Sequence, residues 1–142
     1  TPTLLGICSG ALAGLVAVTP ASGYVTPASA VLIGTAAGIG CLWGATGLKA
    51  WLGVDDALDV FGVHAVGGLI GALLTGVLAD PAVGGATGSV WTQALACVAT
   101  MAYSGCATAL VLWLVSLLLT LRVTPEQEAQ GLDWSQHAER LE

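Results

Sequence analysis

Residues 54–80 read VDDALDVFGVHAVGGLIGALLTGVLAD. Negative charge crowds the opening, at Asp55, Asp56 and Asp59, and returns only at Asp80. The residues between are apolar or small, apart from Thr75 and one ionisable side chain, His64. About 20 helical residues, each rising about 1.5 Å, cross a hydrocarbon layer about 30 Å thick. A water-exposed helix of that length carries a charged stripe with a period of about 3.6 residues. None is present here, so the stretch reads as a membrane-spanning helix.

The rest of the chain follows the same grammar. Residues 1–48 hold no Lys, Arg, Asp or Glu, residues 81–121 hold none either, and a charged tail runs from Arg122 to Glu142. Turn signals at Thr19-Pro20, Gly23, Pro27, Asp80-Pro81 and Gly84-Gly85 divide the apolar sequence. The predicted architecture is all-α, a polytopic transmembrane helix bundle. Its spans are expected at residues 4–18, 28–52, 59–79 and 91–121, so that 1–121 form the membrane domain and 122–142 a tail.

Composition agrees. Of 142 residues, 56% are apolar and 8% charged, and mean hydropathy is +0.87. A soluble domain carries about 25% charged residues, and a disordered chain needs low hydrophobicity. Three basic residues and a net charge of −6 exclude a nucleic-acid partner, whose phosphates demand clustered Lys and Arg. Lys49 and Arg122 are two spans apart, hence on one side of the membrane. The positive-inside bias assigns that side, and with it the tail, to the cytoplasm. The chain is therefore expected in the cell membrane, with Asp80 and the following glycine-rich loop facing out. Trp51, Trp91 and Trp113 are candidates for interfacial positions, Trp91 foremost. The opening has no initiator Met, charged n-region or cleavage pattern, which suggests the middle of a longer polypeptide.

Glycines recur every four residues, at Gly6, Gly10 and Gly14, at Gly34 and Gly38, at Gly40 and Gly44, and at Gly67 and Gly71. That spacing lets helix backbones approach closely in lipid, either around a narrow passage or as generic membrane packing. Cys8, Cys41, Cys97 and Cys106 fall within predicted spans without metal-ligand spacing, so they are expected to pack, and no metal or other cofactor is expected. Nucleophile–base pairs and phosphate-binding loops are likewise not evident, and enzyme chemistry is not expected.

If Asp56 caps the third helix, His64 lies eight residues on, about 12 Å deep and close to mid-bilayer. Val60 and Phe61 precede it by one turn, and Gly67, Gly68 and Gly71 follow on its face. A buried imidazole needs a polar partner. A structural histidine bonded to a neighbouring helix satisfies that requirement, and so does a functional histidine facing an ion path. Spacing leaves both open. Haem ligation by two histidines would need a second span histidine, which the chain lacks. Asp56 is read as a cap, and Asp55 and Asp59 either favour the helix dipole or draw cations to the mouth.

The string V-D-D-A-L-D-V-F-G-V-H-A-V-G-G at 54–68 closely resembles the ammonium transporter (Amt) family. G-L-V-A-V-T-P-A at 14–21 is similar to that family's eighth helix, and L-R-V-T-P-E-Q-E at 121–128, followed by Gly131-Leu132-Asp133, to its cytoplasmic tail. The resemblance implies helices eight to eleven of an eleven-helix protein. It implies a homotrimer in which each subunit holds a hydrophobic pore for ammonium or ammonia, lined by a histidine pair. His64 matches the second of these histidines, Val60 a pore-lining apolar position with Phe61 beside it, and Ser9 and Thr19 polar positions toward the pore and outer mouth. Asp56 matches a structural acid, with Asp59 and the glycines 67, 68 and 71 near the pore. Arg122, Glu126, Gly131 and Asp133 fall in a tail that couples subunits and meets a PII-type signalling protein.

Two other readings remain. The acidic tail, with Glu126, Glu128, Asp133, Glu139 and Glu142 against Arg122 and Arg140, suits an ammonium sensor with little flux. A structural membrane subunit with a packing histidine is the other. In the tail, Pro125 with Glu126 and Glu128 predicts a short helix, and His137 is expected to be an exposed side chain.

Overall fold

The computed structural model describes residues 3–53 and 55–137. Val54, Glu139, Arg140 and Glu142 lie outside the described residues. Seven helical segments are named here in chain order. They are α1 (Leu4–Ala21), α2 (Pro27–Leu52), α3 (Phe61–Leu78), α4 (Pro81–Gly84), α5 (Val90–Ser116), α6 (Pro125–Gln130) and α7 (Leu132–His137). Among the described residues α1, α2, α3 and α5 are long and apolar enough to cross a membrane, and there are no strands. The chain divides into two compact units, Thr1–Thr100 and Met101–Glu142.

Local chemistry sets most helix starts. The hydroxyl of Thr3 accepts the Gly6 N–H at 3.1 Å, and Thr26, followed by Pro27, accepts that of Ser29 at 3.3 Å. Within the spans, four threonine hydroxyls are satisfied by their own helix. Thr19, Thr35, Thr46 and Thr75 donate to the carbonyls of Leu15, Val31, Leu42 and Gly71 at 2.7–2.9 Å. A hydroxyl spent in this way can sit in apolar surroundings without the cost of an unpaired donor.

In the first unit α1, α2 and α3 pack on one another through small residues. Ala17, Ala21, Ile33 and Ala37 form one buried cluster, and Ala13, Cys41 and Val63 a second. Lipid supplies no hydrophobic drive for helix association, so close backbone approach is what holds such a bundle. Gly71 meets the Ala17 backbone carbonyl, Gly67 faces Cys41 Sγ, and Gly40 makes room for Ile70. Gly10, Gly14, Gly34 and Gly38 face open space, so only part of the glycine pattern marks contacts among the described residues. Of the cysteines, Cys41 is buried, Cys97 half-buried, and Cys8 and Cys106 exposed among the described residues.

One end of this unit is tied by a loop contact. The Asp80 N–H donates to the Tyr24 carbonyl at 2.8 Å, and the Asp80 carboxylate caps α4 through the Ala82 N–H at 2.9 Å. Gly76 of α3 lies against Ser89 and Val90, where α5 begins. No residue of α5 is buried.

Two boundaries differ from expectation. The third helix begins at Val60–Phe61 rather than Asp59, because Asp59 adopts φ +54°, a left-handed conformation outside any helix. The fourth ends at Ser116 although apolar sequence continues to Leu121. There the Leu117 N–H turns to Leu114 O at 3.3 Å, and the Ser116 hydroxyl donates to the Trp113 carbonyl at 2.7 Å.

In the second unit the tail folds as α6 and α7. Thr124 and Gln127 form a reciprocal capping box, with Pro125 in the first turn. Gly131, at φ +89°, ends α6, and the Ser135 hydroxyl donates to the Gln127 carbonyl at 3.3 Å.

Candidate functional site

Both α2 and α3 contain a π turn, Gly44–Leu48 and Phe61–Ala65. In the second, the Val66 N–H reaches the Phe61 carbonyl five residues back. Each such turn inserts about one extra residue and re-aims the side chains before it. The consequence falls on His64. Gly67, Gly71 and Thr75 are buried against α1 and α2, whereas His64 is exposed and Gly68, one turn beyond it, has open space beside it. The expectation that all three glycines share the histidine's face is therefore corrected. Gly67 and Gly71 pack the bundle, and only Gly68 opens alongside the imidazole. Val60 and Phe61 are also exposed, at 51% and 41%.

Asp56 does not stand at the usual capping position, immediately before the helix. It lies four residues ahead of Val60, in the turn, and its carboxylate reaches forward. It accepts the N–H groups of Val60 and Phe61 at 2.8 Å each and of Gly62 at 3.4 Å. These are three of the four donors that a helix start leaves unpaired. His64 then lies about 6 Å along the helix rather than about 12 Å. It sits just past the first turn of that helix.

Lys49, at the end of α2, completes the arrangement. Its ammonium group donates to Asp59 Oδ1 at 2.8 Å and to the main-chain carbonyl of Asp56. Sequence reasoning used Lys49 only for orientation and missed this contact. The one available signal was a lone cation next to three carboxylates.

Two of the expected pore residues, Ser9 and Thr19, border different cavities. Ser9 borders a space of about 440 Å³ between α1, α2 and the start of α3, together with Cys41, Asp59 and Val63. Thr19, about 15 Å away along α1, borders a separate space of about 400 Å³ with Ser22 and Thr26. Neither cavity includes His64, Val60 or Phe61, whose face is open.

In the tail, Arg122 holds Glu128 through two bonds, Nε to Oε1 at 2.7 Å and Nη2 to Oε2 at 3.1 Å. That contact keeps the Glu128 carboxyl below the usual carboxylate range. Glu126 is also lowered, by its own backbone N–H at the helix start and then by the Thr124 hydroxyl. Gly131 supplies the left-handed turn, and Asp133 opens α7.

The family model described as the Ammonium Transporter Family matches residues 1–141. The chain belongs to the ammonium transporter family. It is 45% identical to an ammonium transporter of Bacillus subtilis (strain 168), over 98% of this chain and 37% of that protein. It is 44% identical to an ammonium transporter of Aquifex aeolicus (strain VF5), over 98% of this chain and 34% of that protein. A crystal structure of a Mep2 variant from Candida albicans superposes with a TM-score of 0.71 at 29% identity, covering 92% of this chain and 33% of that one. The chain thus spans about a third of the length of these relatives. Family and helices together make it part of a multi-pass membrane protein of a transporter family, not an enzyme family.

Proposed function

We propose that this chain supplies part of a pore that carries ammonium or ammonia across the cell membrane, with His64 as one of two pore histidines. The observation that carries the reading is His64 held on the open face of α3, at a helix start capped by Asp56, in a chain of this family. The face free to receive a second imidazole is the one bordered by Val60, Phe61 and Gly68. Ser9 and Thr19 are assigned to polar positions along and at the outer end of the passage, while Asp59, Gly67 and Gly71 shape the wall behind it.

The physical logic is desolvation. An ammonium ion stripped of water in a narrow apolar passage carries a penalty of several kcal/mol or more. Ammonia, once its proton is released, crosses at far lower cost. An imidazole pair can hydrogen-bond ammonia and take up or hand on the proton, because imidazole changes charge state near neutral pH. Val60 and Phe61 keep the surroundings apolar, so that the neutral species is favoured.

The same reading assigns the chain to the carboxy-terminal four helices of a homotrimeric transporter. Residues 1–121 form its membrane part and 122–142 a cytoplasmic tail. Arg122, Glu126, Gly131 and Asp133 belong to the tail's coupling and PII-type docking region. The test is methylammonium uptake by the longer polypeptide carrying His64→Ala, normalised to assembled protein. Uptake should fall at least ten-fold, as loss of a group acting directly on substrate does. Undiminished flux in proteoliposomes would remove the role. Binding without flux in the unaltered protein would favour a sensor.

A further inference from the structure

Lys49 is the only lysine or arginine in the first 121 residues. Its position in the fold is as singular as its chemistry. It directly follows the π turn Gly44–Leu48, and its own carbonyl accepts the N–H of Gly53, whose φ of +62° turns the chain back toward α3. The ammonium group then spans the returning turn. It holds the main-chain carbonyl of Asp56 and the carboxylate of Asp59 together. These residues have complementary tasks. The Asp56 side chain caps Val60, Phe61 and Gly62, and Asp59 sits in a left-handed conformation immediately before the helix.

A non-glycine residue at positive φ is uncommon, and Asp is among the few that tolerate it. Its backbone therefore needs outside support, and a charge-assisted bond is among the stronger kinds available. We propose that Lys49 is a positioning residue for His64. By fixing both ends of the 56–59 turn it holds the Asp56 carboxylate against the helix start, and so sets the π turn from which His64 projects. One cation on α2 thus governs the aim of an imidazole on α3, which it does not touch. The proposal rests on the reading of His64 as a pore residue only for its functional consequence; the clamp itself is a matter of geometry.

The experiment compares Lys49→Met, Lys49→Arg and Asp59→Asn in the longer polypeptide. Each variant is scored for methylammonium uptake per assembled protein and for hydrogen exchange at the amides of 60–62. Asn keeps the tolerance for positive φ but lacks the charge, so Asp59→Asn carries the test should Lys49→Met fail to assemble. Lys49→Met and Asp59→Asn should each speed exchange at 60–62 and lower uptake by about ten-fold, the scale expected for a group displaced by a fraction of an ångström. Lys49→Arg, which keeps the positive charge and several N–H donors, should stay within about three-fold of the unaltered protein. Unchanged exchange at 60–62 in Lys49→Met and Asp59→Asn overturns the clamp. Equal loss of uptake in Lys49→Arg and Lys49→Met overturns the positioning role. Faster exchange in Lys49→Met alongside normal uptake in His64→Ala would instead leave the clamp standing and remove the pore reading.

Discussion

Gly44 and Gly62 set two π turns directly against each other. A Cβ on Gly44 would lie 3.0 Å from the Gly62 carbonyl oxygen, and a Cβ on Gly62 would lie 2.6 Å from the Ala45 nitrogen. Both obstacles are backbone, which cannot step aside as a side-chain tip can. The approach that lets α2 and α3 meet is thus made at the segment that also carries Val63 and His64.

Gly62→Ala should therefore destabilise the bundle by about 1–3 kcal/mol, the usual cost of overpacking, and displace the start of α3. Thermal unfolding of the detergent-solubilised protein measures the first effect, and the Val63 carbonyl offers a probe of the second. In the native fold that carbonyl accepts Cys41 Sγ at 3.5 Å, so Cys41 should become more reactive toward a small thiol reagent. Unchanged unfolding and thiol reactivity would refute the close contact.

Asp56→Ala removes the acceptor of three N–H groups at once. A lost cap costs about 1 kcal/mol, and up to about 2 where no replacement exists. Amide exchange at 60–62 should accelerate while exchange in the middle of α1 stays the same. Equal acceleration in both helices would mean global loosening rather than a lost cap.

The tail carries a pH dependence whose sign follows from its pKa directions. Glu126 and Glu128 are lower in the folded tail than in an open chain. Their stabilisation is complete above the open-chain value of about 4.3 and is lost as pH falls through the lower folded values. Carboxyl titration by carbon NMR should find Glu128 with a depressed midpoint. In Arg122→Gln that midpoint should rise toward the ordinary value. The same midpoint in both proteins would dissociate Glu128 from the Arg122 contact.

Thr124→Ala should fray α6, because it removes one half of the capping box formed with Gln127. The expected cost is about 1 kcal/mol, seen as faster exchange across 125–130 with the membrane helices unaffected. Protection that survives the substitution would show that packing of α7, not the cap, holds the segment.

The four spans were legible because the signal is one of composition and length. Stretches such as residues 1–48 and 81–121, free of formal charge, have few other uses. The family string at 54–68 and the candidacy of His64 were legible for the same reason, since an ionisable group in an apolar run has no camouflage. Boundaries were less so. Leu117–Leu121 look as apolar as Leu110–Leu114, yet the helix ends at Ser116. The face of His64 was misread because helical spacing assumes 100° per residue, and the π turn at Phe61–Ala65 breaks that assumption.

Hydropathy and charge placement, properties of each residue by itself, determined that this chain makes membrane helices and where an imidazole interrupts them. The tertiary structure decided which way that imidazole points. Around its helix start it brought together a lysine 15 positions upstream, a carboxylate that caps from within a turn, and a glycine pair that meets across two helices. Those relations join residues distant along the chain, and sequence spacing holds no record of distances that arise only when helices pack.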